Sequence, residues 1–159
     1  MKRAEVAKLA RELLNQHGFG HVPFEFDRGT KRIGACHFKR DSECKRYVSS
    51  ISFSHHWAGL LDEKDIRDTI LHELAHAIAG FEAGHGPRWK AAARRIGANP
   101  TRTHDGIPNH LQAKVHNYVA ICENNSEHKV YFDKMGKNWR LGRYRCGKCK
   151  GQLHVHALR

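Results

Sequence analysis

His72, Glu73 and His76 stand in the run His-Glu-Leu-Ala-His, and eight residues separate His76 from His85. On a helix, His72 and His76 lie one turn apart on the same face, so both imidazoles can bind one metal ion. Glu73 is rotated off that face and is free to act as general base on a zinc-activated water. A hydrolytic zinc takes three protein ligands and keeps a fourth position open. His85 is the preferred third ligand, because its flanking Gly84 and Gly86 let the backbone fold the imidazole back under the helix. Glu82 is the alternative, since Ala79 and Glu82 hold the places of Gly and His in the HExxHxxGxxH pattern. The chemistry is peptide-bond hydrolysis, with Glu73 passing its proton to the leaving amine. His55, His56 and Trp57, just ahead of the motif, could line the cleft.

The motif needs a helix, and the flanks supply one. Asp62 is a good N-cap, Ile66, Ile70, Leu71, Leu74 and Ile78 form the buried side, and Gly80 ends it. Pro87 suits the first turn of a second helix through Trp89, Ala92, Ala93 and Ile96 to Gly97. Upstream, the spacing of Val6, Leu9, Ala10, Leu13 and Leu14 predicts an amphipathic helix over residues 2–17. Residues 22–27 and 31–38 read as two strands around an Arg28-Gly29-Thr30 turn, and 47–53 as a third. Residues 98–116 read as a linker wrapping back over the core, and 115–122, 129–132 and 139–145 as three short strands. No internal repeat or low-complexity segment interrupts the chain.

The 159 residues carry a net charge of +12 with histidines neutral, which suggests a polyanionic partner: nucleic acid first, membrane surface second. Forty per cent hydrophobic residues suffice for a core, and no apolar run approaches the roughly 20 residues of a membrane span. The basic start, Met1-Lys2-Arg3-Ala4-Glu5, lacks the apolar stretch of a secretion signal. A cytoplasmic setting without membrane partners is expected, nucleoid-associated if the source is a bacterium or phage. The five cysteines are an odd number and read as thiols or metal ligands; Cys36 and Cys44 are simplest as structural thiols.

The run from Asp68 through His72-Glu73-Leu74-Ala75-His76-Ala77, then Gly84-His85-Gly86-Pro87-Arg88-Trp89-Lys90, resembles the SprT-like metalloproteases, the SprT/Spartan type. The likeness continues through Arg94-Arg95-Ile96-Gly97 and resumes at Tyr144-Arg145-Cys146-Gly147-Lys148-Cys149. It implies a zincin-like fold, zinc on His72, His76 and His85, Glu73 as acid/base, and proteolysis of DNA-bound or DNA-crosslinked proteins. The family often ends in a zinc ribbon with two cysteine pairs. Here Cys146 and Cys149 supply one pair, while Asn125 stands where the partner of Cys122 would be. His128 is the substitute that would complete a Cys3His structural zinc site, and His116, His154 and His156 are its rivals.

From His128 onward nine Lys/Arg face a single Asp, with aromatics interleaved. Basic side chains track phosphates and aromatics stack unpaired bases, so single-stranded or partly melted DNA is the expected partner. Trp139 is the stacking candidate, with Arg140, Arg143, Arg145, Lys148 and Lys150 as phosphate contacts; Tyr131, Phe132 and Tyr144 read as core.

The expected architecture is α+β: a zincin-like core over residues 1–114, with helices on a small antiparallel sheet, and a basic zinc-ribbon-like β subdomain over 115–159. The competing function is a non-catalytic, zinc-containing nucleic-acid-binding module, against which Glu73 argues, because a structural site needs no base.

Overall fold

In the computed structural model, residues 1–101 and 109–159 are described, and the chain divides into two compact units, Met1–His104 and Asp105–Arg159. The first unit opens with α1 (Arg3–Gln16), which buries Val6, Leu9, Ala10, Leu13 and Leu14 along one stripe. Strands β1 (Phe24–Asp27), β2 (Gly34–Arg40) and β3 (Arg46–Ser54) follow, then a short helix α2 (His55–Ala58). The motif helix α3 (Glu63–Ala79) starts where expected: the Asp62 carboxylate accepts the Asp65 N–H at 2.8 Å, and Gly80 takes φ 84° at its end. A 3-10 turn, Phe81–Ala83, leads to α4 (Pro87–Ile96), which Gly97 closes in the left-handed conformation.

The sheet departs from expectation. The run around Arg28-Gly29-Thr30 does not join β1 to β2 as a hairpin; the order is β1-β3-β2. β3 pairs antiparallel with β2 but parallel with β1, so the sheet is mixed and not antiparallel throughout. The reason lies in the loop. Asp27 accepts the Gly29 N–H, Ser54 Oγ donates to the Gly29 carbonyl, and the Trp57 indole donates to the Thr30 carbonyl at 3.2 Å. Those bonds tie the loop to β3 and α2, and β3 enters between the two earlier strands. β3 is the most buried strand, with Ile51 and Phe53 at 0% exposure. Trp57, Trp89, Leu14, Ile66, Ile70 and Leu74 are fully buried in the same unit.

The second unit contains α5 (Asn109–Val115), β4 (Tyr118–Cys122), β5 (Asn125–Phe132), α6 (Lys137–Arg140) and β6 (Leu153–Ala157). Its sheet runs β5-β4-β6, antiparallel at both junctions. Three sequence expectations change here. The linker over 98–116 contains α5, while its part from 102 to 108 lies outside the described residues. The strand expected at 139–145 is instead a helical turn with one isolated bridge, Arg145 to Gln152. The third strand is β6, in a stretch with no strand expectation. The core of this unit is small: Ala120, Cys122, Phe132, Cys146 and Leu153, flanked by Tyr118, Met135, Trp139 and Val155.

Candidate metal centres

On α3 the four-residue spacing puts His72 and His76 side by side, ring centroids 5.2 Å apart. After Gly80 the chain turns through the 3-10 segment, and Gly84 adopts φ 48°, a conformation that favours glycine. This reversal returns His85 to the helix, with its Nε2 at 3.0 Å from His72 Nε2 and 3.1 Å from His76 Nε2. The indole of Trp89, one turn into α4 and fully buried, floors all three rings at centroid distances of 4.7, 5.4 and 4.6 Å. Its Nε1 is the buried side-chain nitrogen or oxygen without a hydrogen-bond partner among the described residues. The alternative ligand Glu82 turns away: it pairs with Arg46 at 3.4 Å and is largely exposed.

The donor set fits a cation. A neutral imidazole has one N–H and one lone pair. One nitrogen of His85 faces nitrogens of both other rings, so a single proton cannot serve both contacts. Burial, then the nearby His85, pull the His76 pKa down to about 4, which leaves its lone pair available at neutral pH. His72, His76 and His85 could therefore hold one metal ion.

Glu73 packs against β2 of the sheet. A Cβ on Gly34 would come within 3.0 Å of both Glu73 Cγ and Thr69 Cγ2, so the glycine at the start of β2 admits the glutamate. The Cys36 backbone N–H donates to the Glu73 carboxylate. Burial raises the Glu73 pKa to about 7, against the pull of that N–H and of Arg32. Arg32 is itself held at 3.2 Å by Asp27. Asp27 stays below the usual carboxylate range: burial opposes ionisation, but the Ser52 hydroxyl, the Gly29 N–H and Arg32 outweigh it. The Cys36 thiol, pushed up to about 12 by burial and by the Glu73 charge, is inert, and Cys44 lies exposed in the β2–β3 turn. Gly34, Cys36 and Arg32 went unsuspected from sequence, because only the packing of β2 on α3 brings them to Glu73. His55 and His56 contact each other with tilted rings, centroids 3.9 Å apart, and Trp57 is buried in the core.

The second unit gathers four donors. Cys122 ends β4, opposite Leu153 on β6. The Arg145–Gln152 bridge carries the Cys146–Cys149 turn to the same end of the sheet. Cys122 Sγ lies 3.4 Å from Cys149 Sγ, and Cys146 Sγ lies 3.4 Å from His128 Nδ1. All four ligand atoms fall within 4.8 Å of one another and could hold a metal. Backbone N–H groups of Cys149 and, against the pull of burial, Lys148 draw the Cys146 thiol down to about 6. Burial and the neighbouring sulfurs hold Cys122 above the ordinary thiol value. The rival histidines go elsewhere: His116 is buried against Asp133 at 3.1 Å, His154 faces Glu123, and His156 is exposed.

Arg140, Arg143, Arg145, Lys148 and Lys150 are all exposed. Trp139 lies parallel to Phe132 at 4.3 Å, with Tyr144 tilted against it at 4.3 Å. The stacking candidate is thus packed into the small core, and Tyr144, read as core from sequence, is 43% exposed.

The SprT-like family model matches residues 4–116, more than half of the chain. The chain belongs to the SprT-like family. All three imidazoles and Glu73 fall inside the region matched to the SprT-like family, while Cys122, His128, Cys146 and Cys149 fall outside it. A human relative, germ cell nuclear acidic protein, is 34% identical over 101 residues, 55% of this chain. The match spans 13% of that relative's length. Among the described residues, no helix is long and apolar enough to cross a membrane.

Proposed function

We propose that this chain is a zinc-dependent endopeptidase with a zincin-like core, acting on proteins bound or cross-linked to DNA. The observation that carries the reading is the convergence of three imidazole nitrogens on a helix that also presents a glutamate held by a strand amide. When held by His72, His76 and His85, zinc supplies the Lewis acidity that brings a water's pKa toward neutrality and polarises the scissile carbonyl.

The chain's own groups do the rest. Glu73, near neutrality in its burial, takes a proton from water at its carboxylate as the oxygen adds to the carbonyl carbon. The C–N bond then breaks, and Glu73 returns the proton to the amine nitrogen. The Cys36 N–H keeps the carboxylate oriented, and Trp89 closes the floor to solvent. β2, an edge strand packed on α3, offers its outer backbone to an extended peptide. The second unit is proposed as a Cys3His zinc ribbon that contacts single-stranded or partly melted DNA through Tyr144 and its exposed cations. The human relative is named as a nuclear protein, which agrees with a DNA-associated setting.

The test combines elemental analysis with cleavage of a DNA-bound protein. Wild type is expected to hold two zinc ions and to cleave faster with DNA than without it. Glu73→Gln should keep both ions and DNA binding and lose cleavage. Glu73→Gln with undiminished cleavage overturns the assigned chemistry, and equal rates with and without DNA overturn the DNA-directed part. Absence of cleavage from a zinc-loaded wild type leaves the nucleic-acid-binding module.

A further inference from the structure

The positive charge of this chain is not confined to its second unit. Residues 105–159 carry 10 Lys/Arg against 4 Asp/Glu, and residues 1–104 carry 18 against 12, so each contributes half of the net +12. Within the first unit, α1 and α3 mix the two signs. α4 does not: its ten residues include Arg88, Lys90, Arg94 and Arg95 and no acid. All four cations are exposed, and among the described residues none of them forms an ion pair. Lys45 and Arg46, at the start of β3, differ in this respect, since Glu43 and Glu82 engage them.

The arrangement on the helix is regular. At about 100° per residue, Arg88 and Arg95 fall on one flank of the exposed face and Lys90 and Arg94 on the other. The small Ala91, also exposed, lies between them. The opposite face carries the buried Trp89, Ala92 and Ala93. Two basic rows with a low centre fit a ridge of phosphates. The face has no aromatic side chain to stack on an unpaired base, so it suits a duplex, which keeps its base faces stacked inside and its phosphates outward. That separates it from the second unit, where Tyr144 is exposed among the cations. The position is also specific. Trp89 touches the three imidazoles from the back of the same helix, so the basic face lies about one helix diameter, roughly 10–12 Å, from the candidate metal site.

We propose that the exposed face of α4 is a docking surface for the phosphate backbone of duplex DNA, placed to bring DNA-bound proteins to the site it floors. This rests on the DNA-directed reading above, but it is tested by binding and not by cleavage, so either can fail without the other.

The experiment measures duplex binding by the full chain across a salt series, for wild type and for Arg88→Gln/Lys90→Gln/Arg94→Gln/Arg95→Gln. The slope of log affinity against log salt is expected to become shallower by about 0.9 for each phosphate contact removed, with a smaller change on a single-stranded oligonucleotide. Arg94→Lys/Arg95→Lys should retain the wild-type slope. An unchanged slope in the quadruple variant overturns the proposal. So does wild-type binding to polyglutamate as tight as to duplex at equal salt, which would make the face a site for acidic polypeptide. On the wild type itself, duplex should protect Lys90 from acetylation while Lys8 and Lys64 stay reactive. Equal modification of Lys90 with and without duplex overturns it even if the variant does not fold.

Discussion

Two donor clusters, one in each unit, differ in number and in company. The first brings together three imidazoles, with a carboxylate from the same helix turned onto a neighbouring strand. The second brings together three thiols and one imidazole at the end of a small sheet. On the proposed reading, three imidazoles would leave a bound cation an open position for water, and Glu73 would move the proton. Three sulfurs and a nitrogen would fill a tetrahedral structural site and leave no position for water. The cores scale the opposite way. The first cluster rests on a unit with two fully buried tryptophans, whereas the second is itself a large part of its unit's core, since Cys122 and Cys146 are core residues. The proposed division of labour is therefore chemistry at the first centre and holding the fold together at the second.

The contrast is broken most directly by substitution at each centre. Glu73→Gln is expected to lower cleavage by about 10²–10⁴, the usual worth of a general base, with the melting of both units unchanged in the zinc-loaded protein. Cys146→Ser/Cys149→Ser should do the reverse: residues 105–159 become sensitive to proteolysis, one zinc is lost, and the first unit keeps its metal. Cleavage rate, zinc content and limited proteolysis of the two variants, read together, would sink the division of labour if either showed the other's pattern.

Trp89→Ala probes how far the first centre depends on its floor. Removing a fully buried tryptophan costs about 3–5 kcal/mol, read as a fall in unfolding free energy, and zinc affinity should drop with it. A stable protein with full zinc affinity would show that the imidazoles need no support from α4.

The charge of Glu73 gives a smaller effect of defined sign. Its pKa rises from 4.5 unfolded to about 7 in the metal-free fold, so it opposes folding once ionised. Metal-stripped wild type and Glu73→Gln should be equally stable near pH 4. Wild type should then lose ground as pH climbs to 7, by about 3 kcal/mol at most. Denaturant titrations at pH 4 and 8 decide it, and a constant difference would mean that the carboxylate is not strained by burial.

Smallest is Gly34→Ala, whose methyl would press on Glu73 and Thr69. About 1–2 kcal/mol of destabilisation and a loss of cleavage larger than that of stability are expected, checked by melting and by rate. Unaltered cleavage would show that β2 does not orient Glu73.

The extent of α3, its Asp62 cap, the facing of His72 and His76, and the return of His85 through glycines could all be read from local spacing, because helical periodicity and capping act over a few residues. The Cys122, His128, Cys146 and Cys149 set came from the family resemblance, with three rival histidines for the fourth place, and the fold brings those four donors together. Strand order could not be read. The parallel pairing of β1 with β3 joins residues about 27 positions apart and is decided by the buried bonds of Ser54 and Trp57 to the intervening loop. The same holds for α6, where Trp139 is rich in strand preference but is turned by packing onto Phe132.

The sequence by itself determined which residues can do chemistry, because metal ligation and proton transfer depend on residue type and on spacing within a turn or two. Only the tertiary structure decided what surrounds them: Gly34 and the Cys36 amide at Glu73, the Trp89 floor, and the exposure of Tyr144 in place of Trp139. Those are contacts between segments distant in the chain, selected by burying the most apolar surface at once, and no local pattern records them.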